Sequence, residues 1–426
     1  MFRREHPHAM HARNAARYAT LVLAAGIWFL SKFLRYAFPP LFETMQASYG
    51  VSNAEVGTIY TGLMVVYASL QFPSGMLSDR FGSVRVVAGG ALLASLGSFV
   101  LVFDSPAAVL AAAAVLIGAG TGAHKTVTVG ILSRVYPART GRVLGTYDTF
   151  GAYGGVGASA VVTLFLVAPP ALDGLFSLLP GATWRGVFLL SGVVGVALAA
   201  AFARYVPRQL PASSEAASDS EEAPPASAYL RQFANPAFSA FILVTVLFSF
   251  SYNGAVAFLP LYLSEVAGLE TTTANLLYSA LFAVSVVQVL TGDVSDRTGR
   301  LPIVVVTVAM AATALLGVIV FANAGAVVLG VAVVTFALGS HGFRPVRGVY
   351  LVELLPDRIA AGGFGIVRTL LMGAGAASPT VVGFVADGFG FRIAFALLSA
   401  SLLGAAAIAT GLLLVGGDGR TVTGPS

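Results

Sequence analysis

The chain contains no cysteine among its 426 residues. That excludes a disulfide framework and any thiolate-ligated metal. Charge is scarce as well: 10% of residues are Asp, Glu, Lys or Arg, against roughly 25% in soluble domains, too few to cover a water-facing surface. Lysine is rarer still. Of 24 Lys plus Arg residues, two are lysine, Lys32 and Lys125. No glycine loop is spaced to cradle a phosphate, no nucleophile is spaced beside a base, and no metal ligands stand at useful spacing. The chain therefore reads as no enzyme, with no cofactor and no metal. The polar, basic N-terminal stretch of 17 residues has no small-residue cleavage site, and the apolar run after it is too long for a signal peptide.

What the chain has is apolar length. Hydrophobic residues make up 57%, and the mean hydropathy is +0.85. A membrane span needs about 20 apolar residues. Twelve such stretches are present, over 18–38, 56–77, 84–103, 107–132, 144–168, 184–204, 236–260, 272–292, 302–322, 325–347, 362–385 and 392–415. Ser52 followed by Glu55 predicts a capping box opening the second. This is an all-α polytopic membrane protein, embedded in a lipid bilayer.

Arginine fixes its orientation. Arg3, Arg4, Arg13, Arg17, Arg80, Arg85, Arg134, Arg139, Arg142, Arg204, Arg208, Arg231, Arg297, Arg300 and Arg358 fall on one side. The opposite loops hold Glu43, Asp104, Asp173, Glu265, Glu270 and Asp387, with only Arg185 and Arg392 basic. The positive-inside rule makes the arginine side, with both termini, cytoplasmic. Trp184 is expected at the outer interface as an anchor. The net charge of +5 thus reflects topology and gives no sign of a nucleic-acid partner. One long polar stretch, 207–235, is rich in Pro, Ala, Ser and Glu and reads as a solvated linker. The expected organisation is a cytoplasmic tail (1–17), a six-helix bundle (18–206), the linker (207–235), a second six-helix bundle (236–415) and a cytoplasmic tail (416–426).

The two bundles are repeats. Residues 75–85, GMLSDRFGSVR, and residues 292–300, GDVSDRTGR, share the frame G-x-x-S-D-R-x-G at an offset of 217 residues. Pro40-Leu41-Phe42 matches Pro260-Leu261-Tyr262, Pro137 matches Pro356, Gly145-x-x-Asp148-Thr149 matches Gly365-x-x-Arg368-Thr369, and Trp184-Arg185 matches Phe391-Arg392. Parallel six-span repeats are a known transporter architecture. The motif resembles the G-x-x-x-D-R-x-G-R-R/K loop of the major facilitator superfamily, and the resemblance covers essentially the whole chain. It implies a secondary transporter working by alternating access, with the first, fourth, seventh and tenth spans lining the cavity and the fifth and eleventh closing its cytoplasmic end. A gate-clamping role carries over to Gly75, Asp79, Arg80, Gly82, Gly292, Asp296, Arg297, Gly299 and Arg300. Ser83 departs from the pattern where a basic residue is usual, and Leu301-Pro302 departs after Arg300. The glycine runs Gly118-x-Gly120-x-Gly122 and Gly151-x-x-Gly154-Gly155-x-Gly157 read as close-packing surfaces.

Charges inside the spans point to the cargo. Each costs about 2.5–3.5 kcal/mol to insert, yet Lys32 and Arg35 stand in the first span, His124 and Lys125 in the fourth, His341, Arg344 and Arg347 in the tenth and Arg368 in the eleventh. Only one carboxylate, Asp148, lies well inside a span. Lys125 and Arg344 are repeat-related at an offset of 219, which puts two cations on symmetric faces of a central site. The expected substrate contacts are Lys32, Arg35, Lys125, Tyr252, Asn253 and Arg344. Asp148 and Arg368, at matching positions in the two halves, are the expected gating or coupling pair. The partner so implied is a small anionic solute, with H+ or another ion for coupling, handled by a monomer in the cell membrane. Arg35, followed by P-x-L-like text, is also similar to the family's organic-anion branches. The alternative within the same fold is a drug or lipophile efflux antiporter, although cationic drugs would call for an embedded carboxylate and fewer cations. A non-transporting sensor is disfavoured by the lack of any stretch long enough to hold a signalling domain.

Overall fold

The computed structural model describes residues 7–210, 231–356 and 360–417. The linker acids Glu215, Asp219, Glu221 and Glu222, and Arg358, lie outside the described residues. The longer elements are helices throughout: α1 (Pro7–Tyr36), α2 (Phe42–Tyr49), α3 (Asn53–Ser69), α4 (Gln71–Phe81), α5 (Ser83–Val100), α6 (Ala107–Gly122), α7 (Lys125–Val135), α8 (Thr140–Val167), α9 (Asp173–Phe176) and α10 (Gly186–Tyr205). After the linker come α11 (Pro236–Glu265), α12 (Thr271–Ala283), α13 (Val287–Thr298), α14 (Arg300–Val320), α15 (Ala326–Glu353), α16 (Ala360–Phe389) and α17 (Phe391–Gly417).

Among the described residues, eleven helical segments are long and apolar enough to cross a membrane. The twelfth expected span, 56–77, is broken at Leu70 into α3 and α4, of 17 and 11 residues, each too short on its own. Its repeat partner breaks in the same place, at the 3-10 turn Val284–Val286 between α12 and α13. The fourth span also breaks, at Ala123–His124 between α6 and α7. The matched prolines act differently in the two halves. Pro39 and Pro40 together end α1 in a 3-10 turn, whereas Pro260 alone is carried inside α11.

Contacts divide the chain into two compact units, Met1–Tyr49 with Gly62–Ala217, and Gly50–Thr61 with Ser218–Ser426. Lipid tails are as apolar as leucine, so helix association within each unit rests on packing and on close backbone approach. In the first unit α8 presses its glycines onto α1. A Cβ at Gly151 would clash with the Trp28 ring, one at Gly154 with the Phe29 carbonyl, and one at Gly157 would lie 2.6 Å from the Phe29 ring. Gly118 and Gly120 likewise meet the backbones of Leu63 and Ala94. The expectation that both glycine runs are packing surfaces agrees with these contacts.

In the second unit, the first turns of α3 lie against the end of α16. The capping box forms as expected: the Ser52 amide donates to Glu55 Oε2 at 2.8 Å, and the Glu55 amide to Ser52 Oγ at 3.3 Å. Asp387 adds a second cap, which the sequence alone did not reveal. Its carboxylate accepts from the Asn53 amide at 3.2 Å and the Ala54 amide at 2.8 Å. A negative charge at a helix N-terminus also meets the favourable end of the helix dipole. Gly57 against the Pro379 carbonyl and Gly383 against the Asn53 carbonyl leave no room for side chains at this crossing.

One expectation is corrected. Trp184 is no interfacial anchor: it is 4% exposed, edge-on to Phe188 and Tyr49 within the first unit. Its neighbour Arg185 is buried too and ties down the 101–104 loop. It donates to the carbonyls of Leu101 and Phe103 at 3.1 and 2.6 Å and pairs with Asp104 at 2.9 Å. That explains a basic residue on the acidic side.

Candidate functional site

In the first unit three cations gather round one indole. Trp28, 3% exposed, is fixed by Gly151 and by stacking on Tyr147, ring centroids 5.9 Å apart. Lys32 Nζ lies 5.2 Å from the Trp28 ring centre, Lys125 Nζ 5.3 Å and Arg35 Cζ 5.6 Å. Lys32 and Arg35 reach the ring from one turn of α1. Lys125 arrives from the fourth span because α6 ends at Gly122 and α7 restarts at Lys125. Cation–aromatic attraction, about 0.5–2 kcal/mol per contact, helps hold like charges together that would otherwise repel.

The three cations are not equally engaged. Lys125 Nζ pairs with Asp148 Oδ1 at 3.1 Å, the two side chains 31% and 54% exposed. Asp148 therefore has a partner on the neighbouring span of its own unit, one that the repeat alignment did not indicate. Arg35 is different. Its side chain is 4% exposed, its Nε donates to the Ser31 carbonyl at 3.1 Å, and its guanidinium lies 3.7 Å from the Tyr67 ring centre. Among the described residues it makes no ion pair, and its Nη2 finds no acceptor. His124, 2% exposed and beside the break in the fourth span, has an unmatched Nδ1 among the same residues.

The second unit has a smaller aromatic–cation arrangement of its own. Arg344 Cζ lies 4.3 Å from the Tyr252 ring centre, and Tyr252 stacks on Phe248 and Phe336. Arg344 makes no ion pair among the described residues. His341 Nε2 donates to the Leu281 carbonyl at 3.0 Å, as a packed polar residue does. Asn253 donates to the Ser249 carbonyl at 2.8 Å and abuts Gly375 on α16, so its amide nitrogen is taken up in helix packing. Arg368 stands half-buried on α16.

The two motif loops share one backbone form. Gly82 and Gly299 stand at φ 89° and 92° between consecutive helices, in a region L side chains rarely adopt. Gly75 and Gly292 have open space around them. In the second copy Arg300 Nη1 bonds Ser295 Oγ at 3.0 Å and also reaches Asp296, while its Nε bonds Glu353 Oε1 at 3.2 Å. Arg297 pairs with Asp293 at 2.9 Å. In the first copy Ser83 replaces that arginine, and the cation comes from the other side. Arg134 Nη2 donates to Ser83 Oγ at 2.9 Å, and Ser83 bonds Ser78 at 2.8 Å. Arg134 and Glu353 are repeat-related at the ends of the fourth and tenth spans. Both halves thus tie the start of an odd span to the end of the next even one, with the donors exchanged. Asp79 and Arg80 are exposed in the first copy.

The comparisons agree with this architecture. Residues 24–343 match the Major Facilitator Superfamily. The chain is 28% identical over 174 residues to the 2-nitroimidazole transporter of Escherichia coli, a match covering 40% of this chain and 41% of that protein. It is 24% identical over 435 residues to a probable sulfoacetate transporter of Cupriavidus necator, covering 94% of each. The fold superposes on a bacterial homolog of the human lysosomal transporter Spinster, in an inward-facing and unoccupied conformation. That match has a TM-score of 0.78 at 17% identity and covers 96% of this chain and 99% of that one. This chain belongs to the Major Facilitator Superfamily and is a multi-pass membrane transporter of that family, not an enzyme.

Proposed function

We propose that the protein carries a small anionic solute, such as a carboxylate, an organic phosphate or an inorganic oxyanion, across the cell membrane by alternating access. Its arginine-rich loops and both termini face the cytoplasm. Arg35 is the observation that carries this reading. Burying a cation with an unmatched donor is costly, and an anion seated against Arg35 and the Trp28 cluster removes that cost. Lys32 and Lys125 add charge around the same indole, and Arg344 supplies a cation in the second unit. The sulfoacetate-transporter relative supports an anionic cargo.

Charge also constrains direction. Bringing one negative charge into a negative-inside cell opposes about 2.3 kcal/mol per 100 mV. Asp148 is the one carboxylate that the sequence sets well within a span, so several protons have no carboxylates to ride on. The reading is therefore exchange, export, or symport in which the solute carries the proton. A second reading, efflux of planar lipophilic compounds, draws on the Trp28, Tyr147 and Tyr67 rings of the first unit and on the 2-nitroimidazole-transporter relative. Counterflow into proteoliposomes, at fixed voltage and pH gradient, separates the two. Uptake of labelled anions competed only by other anions supports the first; uptake of neutral aromatics unaffected by anions overturns it.

A further inference from the structure

The first unit holds a groove of about 520 Å³ that the transport reading does not use. Its walls are Leu70, Ser74, Leu77 and Phe81 from the second span and Ala119 and Ala123 from the fourth. Its floor is the α5 stretch from Arg85 through Gly89 and Gly90 to Leu93. The groove exists because two things are missing. The second span breaks at Leu70, and α5 presents glycine where a side chain would otherwise fill the space. A Cβ at Gly89 would meet nothing within 4 Å, while Gly90 next to it lies tight against the Gly120 carbonyl. Leu77, Phe81, Arg85 and Gly89 are exposed along the mouth.

The two ends of the groove differ in character. From Leu93 and Leu70 to Phe81 the lining is almost wholly apolar; Ser74 is an exception, and its hydroxyl is satisfied by the Gln71 carbonyl at 2.8 Å. At the arginine-rich end stands Arg85, with no hydrogen bond or ion pair among the described residues. Arg80 lies over the Phe81 ring at 5.4 Å, and Arg134 is held on Ser83 two residues before Arg85. Between residues 70 and 93 the sequence carries one acid, Asp79, against Arg80 and Arg85. An apolar trough that ends in net positive charge, on the side the positive-inside rule makes cytoplasmic, is complementary to an inner-leaflet lipid with an anionic headgroup.

We propose that this groove is a binding site for one anionic phospholipid, with an acyl chain lying along Gly89 and Leu93 and the headgroup phosphate held by Arg85. The lipid would brace the broken second span against α5, close to the first motif loop. The site is distinct from the Trp28 cluster, and it stands whether the cargo is an anion or a lipophile.

Native mass spectrometry of the purified full-length protein, with phosphatidylglycerol or phosphatidylcholine added, tests it. Wild type should retain one phosphatidylglycerol in preference to phosphatidylcholine. Gly89→Leu fills the groove, and leucine favours the helix over glycine, so this variant should stay folded, as judged by its melting temperature, and lose the retained lipid. Arg85→Gln should keep acyl-chain binding but lower the preference for phosphatidylglycerol about fivefold, the effect of one basic residue near a membrane surface. Equal phosphatidylglycerol retention by wild type and folded Gly89→Leu would overturn the site. An unchanged headgroup preference in Arg85→Gln would overturn the assignment to an anionic lipid.

Discussion

Replacing Asp148 by asparagine should tighten anion binding. In the structure Asp148 holds Lys125 Nζ at 3.1 Å, so an incoming anion must share or displace it. Coulomb attraction at that distance runs from about 1 kcal/mol in water to about 5 kcal/mol at an effective dielectric of 20. With the side chains 31% and 54% exposed, solvent screening keeps the net value near the bottom of that range, about 1 kcal/mol. Asp148→Asn releases Lys125 and should lower the anion Kd roughly fivefold. Lys125→Gln removes a proposed direct ligand and should raise Kd by about 10- to 100-fold, as for a hydrogen bond to a charged group. The double variant should then match Lys125→Gln, because the carboxylate acts through the lysine. Thermal-shift titration of purified protein, with the most effective anion from the counterflow panel, gives the four values. Weaker binding by Asp148→Asn than by wild type would refute the argument.

Two more predictions follow from the packing. Glu353→Arg alone should strand Arg300 against a like charge and lower the melting temperature, whereas Arg300→Ser with Glu353→Arg should restore it, because that pair recreates the Arg134–Ser83 link of the first half. A double variant no more stable than Glu353→Arg would show that the two links are not equivalent. Asp387→Asn removes the charge that caps α3 but keeps an acceptor. It should cost about 0.5–1 kcal/mol of stability, read in chemical denaturation, and a cost within error of zero would rule out the cap.

The large-scale architecture was legible because it repeats. Apolar runs of membrane length and a motif recurring at 217 residues are one-dimensional signals, and the helices follow them. The capping box was legible for the same reason: its partners are three residues apart. What could not be read was set by contacts between distant segments. Trp184 is apolar with a polar handle, which suits an interface or a core equally well, and only the rings of Tyr49 and Phe188 decide it. Ser83 looked like a loss from the motif until Arg134, 51 residues away, supplied the cation. The repeat alignment relates Asp148 to Arg368 across the two halves, and such an alignment says nothing about neighbours inside one unit. Within its own unit Asp148 pairs with Lys125, brought round by the break in the fourth span. Arg35 and both lysines were found from charge scarcity alone, while the convergence of Lys125 with the other two on Trp28 required the break in the fourth span.

The central claim, that Arg35 is the anion's ligand, is tested most directly by melting curves of wild type and Arg35→Gln, each with and without saturating anion. Arg35→Gln removes a buried cation that has no acid partner among the described residues. The ligand-free variant should therefore be at least as stable as wild type, while the stabilisation produced by saturating anion should fall by about 1.5–3 kcal/mol. A variant that melts well below wild type yet gains the full anion-induced shift would contradict the account and make Arg35 a structural residue.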